Sequence, residues 1–249
     1  GLPLIAVPTT SGTGSEVTPW ATFWNKSIKK KYSLSHKLMF SNHAVVDPEL
    51  TLTLPLSVTA STAFDAVAHA LEAFWSKFSN PISDIYALEA LGLVANNLKA
   101  LMDNPDNIEL RSCMSSAALY AGLAFSNTKT TAVHSVSYPM TLYYNIPHGA
   151  ACALLLGEFL VFNKSHITSV KLSRLDHVLG CENVFQIKEL LKQLADDTGL
   201  PITLKQAGIP PEGVEVIVKE GFHPERVHNN PRKLTPHYLK EMLNSVSGF

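Results

Sequence analysis

Cysteine is scarce: Cys113, Cys152 and Cys181 are three in 249 residues, widely spaced and without a C-x-x-C pair. That gives no disulfide framework and predicts small buried side chains in a reducing, cytoplasmic setting. An excess of one charge is lacking too, since 20 Lys and Arg against 21 Asp and Glu leave a formal charge of −1. Such a balance makes no field to collect nucleic acid or anionic lipid, so neither is an expected partner. Long apolar runs are also missing. The longest, Ala150 to Phe162, is interrupted by Gly157 and Glu158 and falls short of the about 20 residues a bilayer span needs. The first residues, Gly-Leu-Pro-Leu-Ile-Ala-Val-Pro, carry no initiator Met, basic leader or small-residue cleavage site. They read as a chain joined partway through rather than as a signal peptide.

What is present is a chain 46% apolar, ordinary for one large packed domain or two modest ones. Leu2 to Val7 is a short apolar run stopping at Pro8, followed by the hydroxyl- and glycine-rich T-T-S-G-T-G-S-E-V-T, which reads as a strand feeding a loop. Ala21 to Trp24, Lys26 to Tyr32, and Ala44 to Val46 before Asp47-Pro48 are further short strand or loop pieces. Residues 1–55 are therefore expected to be β-rich, and too few for a dinucleotide-binding domain on their own.

From Pro55 the period changes. Phe64, Val67, Ala68, Leu71, Phe74 and Trp75 recur at helical spacing, while Asp65, His69 and Glu72 share another stripe. Pro81 to Met102, Ile108 to Phe125, and Thr131 onward continue as apolar helices of a helical core. Gln186 to Asp197, Val214 to Lys219, and a helix opened by Thr235-Pro236 and running through Val246 complete a helical region over 56–249.

The helical region carries a candidate metal set. Asp65 and His69, four apart on one helix, project toward one point, and His134 and His148 follow, fourteen apart. One carboxylate and three imidazoles suit iron or zinc with a coordination position left open. Redox or hydrolytic chemistry is the first expectation.

Three segments, V-P-T-T-S-G-T-G-S-E-V-T, D-A-V-A-H-A-L-E and the two histidines ending in H-G, resemble in order the iron-containing (group III) alcohol dehydrogenase family. The resemblance implies an α/β plus all-α fold of the dehydroquinate synthase type: residues 1–55 as the later part of a nucleotide-binding α/β domain, and 56–249 as a helical, metal-binding catalytic domain. It implies Asp65, His69, His134 and His148 as ligands of Fe2+ or Zn2+, and NAD(P)H as hydride carrier. Thr9, Thr10, Ser11, Thr13, Ser15 and Lys31 fall where the family meets its cofactor, and Leu50 where it places an apolar wall against the adenine. The implied partners are a small aldehyde or alcohol substrate and further copies of the chain, in a homodimer or higher homo-oligomer.

Two departures from the family pattern stand out. Many members have a further histidine four residues after the first late one, and here that position is Tyr138, a candidate for the proton path. The family's Gly-Gly-Gly-Ser-type pyrophosphate loop and its acidic ribose residue do not occur in this sequence. K-T-T-A-V-H-S-V-S-Y-P-M-T-L and S-N-P-I-S resemble the branch that reduces phosphonoacetaldehyde to 2-hydroxyethylphosphonate. On that reading Lys129, just before His134, is the expected phosphonate donor. The alternatives are a metal-dependent lyase or hydrolase on the same scaffold, or a truncated, non-catalytic metal-bound domain.

Overall fold

The computed structural model describes residues 2–249. Four short strands come first: β1 (Ile5–Ala6), β2 (Trp20–Asn25), β3 (Lys30–Ser35) and β4 (His43–Ala44). β1 pairs in parallel with β4, and β2 and β3 form an antiparallel hairpin. The hairpin turn takes up Lys26 to Lys29, with Lys29 at φ 51°, so the segment from Lys26 to Tyr32, expected as a strand or loop piece, is half turn and half strand. Its register sets Trp24 opposite Lys31.

Ten helices follow: α1 (Leu56–Trp75), α2 (Pro81–Asp103), α3 (Ile108–Thr128), α4 (Ala132–Tyr144), α5 (His148–Asn163), α6 (Ser169–Leu179), α7 (Val184–Asp197), α8 (Gly213–Glu220), α9 (Pro224–Val227) and α10 (Pro236–Ser245). α1 is the central helix, buried from Thr59 to Trp75 on nearly every side, with α2, α3 and α5 packed around it. An all-round apolar sequence such as A-L-E-A-F-W can fold only in such a place. Its polar residues Asp65, His69 and Glu72 therefore have to find partners inside the protein.

Local signals start and stop the helices as the sequence suggests. Asn80 caps α2 in a capping box with Ser83, with Pro81 at the first helical position, and Thr235 with Pro236 opens α10. The apolar stretch from Thr131 onward is not one helix. Asn145, at φ 55°, ends α4, and Ile146-Pro147 turn the chain into α5. No helix among the described residues is long and apolar enough to cross a membrane.

Two glycines bring backbone close to the site. Gly14, at φ 56°, has its own backbone against Gly122 of α3, where an added Cβ would lie 2.5 Å from the Gly122 Cα. That contact pins the Thr/Ser/Gly loop onto the helical core. Gly149 does the same for α5 against α1 at Ser61.

Candidate metal centre

Helical spacing puts Asp65 and His69 on one face of α1, and the α4–α5 turn brings His134 and His148 to meet them. From Asp65 Oδ1 the Nε2 atoms of His69, His134 and His148 lie 3.9, 3.5 and 3.7 Å away. A tetrahedral centre with bonds of about 2.0–2.1 Å has edges of about 3.4 Å, so each of these three separations from Asp65 is a few tenths of an ångström longer than such an edge. Asp65 Oδ1 and His134 Nε2 are buried and have no hydrogen-bond partner among the described residues. Buried polar atoms without partners are rare in folded proteins, and a cation held between these two is the simplest group to satisfy both.

The protonation states suit that role. Burial opposes the charge on Asp65, but His69, His134 and His148 around it hold its carboxyl well below the ordinary range. Burial, only partly offset by Asp65, lowers His69 to about 4 and His148 to about 3. At neutral pH the cluster thus offers a carboxylate and neutral imidazoles, the forms that bind metals. His134 differs: burial opposes its charge, yet the Glu72 carboxylate at its Nδ1 raises its pKa.

Cys152, one turn after His148 on α5, is a donor the sequence did not offer. Its Sγ and donor atoms of Asp65, His134 and His148 all lie within 4.8 Å of one another, a grouping that leaves His69 out. Burial pushes the thiol pKa well above its usual value, which keeps it protonated, whereas His69 already presents a neutral ring nitrogen. His69 is also held in place, stacked on Phe125 with ring centroids 4.0 Å apart and 10° between planes. We therefore favour His69 as the fourth donor.

The donors line a cavity of about 160 Å³. Thr13, Ser15 and Lys31 line it, as do Thr18, Trp20, Thr22, Trp24, Phe125, Thr130 and Arg226, which sequence reasoning missed. Trp20, Thr22 and Trp24 alternate along β2 and so share one face, a period of two that was visible in the sequence. Arg226 comes from the four-residue α9, where no periodicity could flag it, and its guanidinium donates to the Thr130 hydroxyl.

Other predicted positions sit elsewhere. Ser11 is buried and turned inward, its hydroxyl 3.0 Å from that of Ser115 on α3. Thr9, Thr10 and Leu50 do not line the cavity, and Leu50 is exposed on the Pro48–Thr51 turn. Lys129 is exposed at the end of α3 and points no charge into the cavity, so Arg226 and Lys31 are the cations there. Tyr138 lines the cavity, but its hydroxyl is buried without a partner among the described residues. Burial raises its pKa beyond the ordinary phenol value, which makes it a poor relay. Its ring is instead a platform: Lys31 Nζ lies 3.6 Å from the centroid, and Trp24, His148 and His223 pack around it.

The model of the C-terminal part of the Fe-containing alcohol dehydrogenase family matches residues 59–247, and that of iron-containing alcohol dehydrogenase matches residues 1–48. The chain belongs to the iron-containing alcohol dehydrogenase family. Proteins similar to this chain include choline dehydrogenase of Bacillus subtilis, 31% identical over 93% of this chain and 59% of its own length. A 1,3-propanediol dehydrogenase of Klebsiella pneumoniae is 32% identical over 93% of this chain and 62% of its own. Among solved structures, sulfoacetaldehyde reductase from Bifidobacterium kashiwanohense in complex with NAD+ superposes with a TM-score of 0.92 at 36% identity, covering 99% of this chain and 65% of that one. The chain thus spans about three fifths to two thirds of the length of these relatives. Both family models are represented in it, the one over the short strands that open the chain and the other over the helical region that follows.

Proposed function

We propose that this protein is a metal-dependent, NAD(P)H-linked oxidoreductase that interconverts an aldehyde and a primary alcohol. The observation that carries the proposal is the cluster of Asp65, His69, His134 and His148 lining one cavity together with Thr13, Ser15 and Lys31. These four residues would hold Fe2+ or Zn2+. Bound there, the metal would serve as a Lewis acid on the carbonyl oxygen while the nicotinamide supplies hydride. Thr13 and Ser15 would face the cofactor from the glycine loop. Trp24, Phe125 and the Tyr138 ring would supply aromatic walls for the substrate, and burial keeps the proton on Tyr138 Oη across the physiological range.

The substrate we propose first is phosphonoacetaldehyde, reduced to 2-hydroxyethylphosphonate. Lys31 and Arg226 both line the cavity, and neither forms an ion pair with an acid among the described residues. Asp65 is the cavity's carboxylate, and on this reading the metal takes its charge. A small anionic headgroup would complete the balance, with Arg226 in place of Lys129 as its main donor. The likeness to a sulfoacetaldehyde reductase supports an acid-bearing aldehyde of this size. A cytoplasmic, homo-oligomeric enzyme is part of the same reading.

The test is a spectrophotometric assay of NADH and NADPH oxidation by the intact protein, with metal removed by chelator and then restored. Phosphonoacetaldehyde, sulfoacetaldehyde and propanal serve as substrates. Metal-dependent turnover, fastest at low concentrations of the two anionic aldehydes, is the expected result. Metal-independent turnover, or turnover without nicotinamide, would refute the proposal, the latter pointing to lyase or hydrolase chemistry.

A further inference from the structure

Glu72 is the member of the polar stripe of α1 that the ligand set leaves unused. It lies three residues beyond His69, with no exposed surface at all. A carboxylate so placed needs a cation or a full set of donors. Among the described residues no Lys or Arg pairs with it, and its partners are five N–H and O–H groups of one short segment.

Glu72 Oε1 accepts from the Thr131 N–H at 3.0 Å, the Thr131 hydroxyl at 2.6 Å, the Val133 N–H at 2.8 Å and the His134 N–H at 3.3 Å. Its Oε2 faces His134 Nδ1. α4 has no side-chain cap of its own, so this carboxylate on α1 fills that place for the free N–H groups of the first turn. The Thr131 hydroxyl is fixed in turn, accepting from the Trp75 indole N–H at 2.9 Å.

We propose that Glu72 is a positioning residue for the metal centre, acting through His134. By accepting the Nδ1 proton of His134, it holds the ring in the tautomer whose Nε2 lone pair faces Asp65. By capping α4, it also sets the height at which that ring arrives. A carboxylate behind a ligating imidazole orients the ring and strengthens it as a donor. With Asp65 it would also bring the acidic charge of the centre to that of a divalent cation. The inference rests on the metal-centre reading above.

Glu72→Gln separates the two roles. Four donors converge on Oε1, so the amide must keep its oxygen toward them. Turned the other way, its NH2 would meet four N–H and O–H groups. The NH2 therefore falls opposite His134 Nδ1 and donates to it, which moves the imidazole proton to Nε2 and blocks the lone pair needed by the metal. The cap survives while the tautomer inverts.

The experiment is a competition titration of the intact metal-free protein with zinc or cobalt against a chromogenic chelator, beside thermal melts of the metal-free forms. For Glu72→Gln the expected result is a metal Kd raised on the order of 10–100-fold, with the metal-free melting temperature close to that of the wild type. Metal binding within twofold of the wild type would overturn the role of Glu72 and leave the metal centre standing, whereas a wild type that binds no metal would remove both. Should the variant not fold, 15N NMR of the zinc-loaded wild type decides. A downfield, slowly exchanging Nδ1–H on His134 supports the proposal, and a rapidly exchanging one overturns it.

Discussion

Replacing Gly149 with alanine is expected to open the metal centre without altering a donor. Gly149 follows His148 at the start of α5, and a Cβ there would lie 1.7 Å from the Ser61 carbonyl oxygen, 2.7 Å from its carbon and 3.0 Å from the Asp65 nitrogen. In helical geometry that carbonyl is the acceptor for the Asp65 N–H, so the obstacle is fixed backbone rather than a side chain that can swing away. Carbon and oxygen rest at about 3.3 Å, so α5 and α1 must part by on the order of 1.5 Å. Added to the 3.7 Å between His148 Nε2 and Asp65 Oδ1, this stretches that edge to about 5 Å, beyond the ~3.4 Å a tetrahedral centre spans. Overpacking of this kind costs about 1–3 kcal/mol, or about 2–12 °C in melting temperature for a chain of this size. Metal affinity should fall on the order of 10–100-fold, as it does when ligands are held in the wrong place. The assay is the melting temperature of the metal-free protein together with a chelator-competition Kd. A melting temperature within 1 °C of the wild type and an unchanged Kd would refute the close-approach argument.

Arg226→Ala should raise KM for phosphonoacetaldehyde by about 10–100-fold, the worth of one charge-assisted hydrogen bond, and leave KM for propanal nearly unchanged; steady-state kinetics with the two substrates checks it. Burial and the neighbouring Arg226 lower Lys31 to about 7, so its charge is present below that pH and lost above it. KM for an anionic aldehyde should therefore rise as pH rises through about 7, and the rise should flatten in Lys31→Met. Because the unfolded lysine titrates near 10.5, the unfolded state binds more protons between about pH 7 and 10.5, and stability should increase with pH across that window. Denaturant melts of Lys31→Met should lack that increase. Asp65→Ala should abolish tight metal binding while retaining a cooperative thermal transition, read by metal analysis after dialysis.

The helical region was legible because its apolar periods are strong and its caps are explicit, as at Asn80-Pro81 and Thr235-Pro236. The four expected ligands fall on three separate helices, and their order along the chain, more than any local pattern, made them recognisable. α6 was missed because it is largely polar and buries only Leu175, so its stripe is too weak to read. The cavity was legible only in part. Arg226 and Thr130 meet across the fold through contacts that no sequence spacing encodes, and Cys152 is the buried core residue the sequence suggested, but its place one turn from His148 beside the donors became visible only with α5. Lys129 illustrates the converse: near in sequence to His134, it stands at a positive φ of 61° on the outer end of α3, and adjacency along the chain carried it to solvent. Tyr138 was placed at the site from its spacing alone, but its burial, which raises the phenol pKa and which a sequence does not display, could not be read there.

The most direct test of the account is an anomalous-scattering map of crystals of the intact protein loaded anaerobically with Fe2+. The expected result is a single strong peak within about 2.0–2.3 Å of Asp65 Oδ1 and of the Nε2 atoms of His69, His134 and His148. A peak bonded to Cys152 Sγ in place of His69, or one lying away from Asp65, would contradict it.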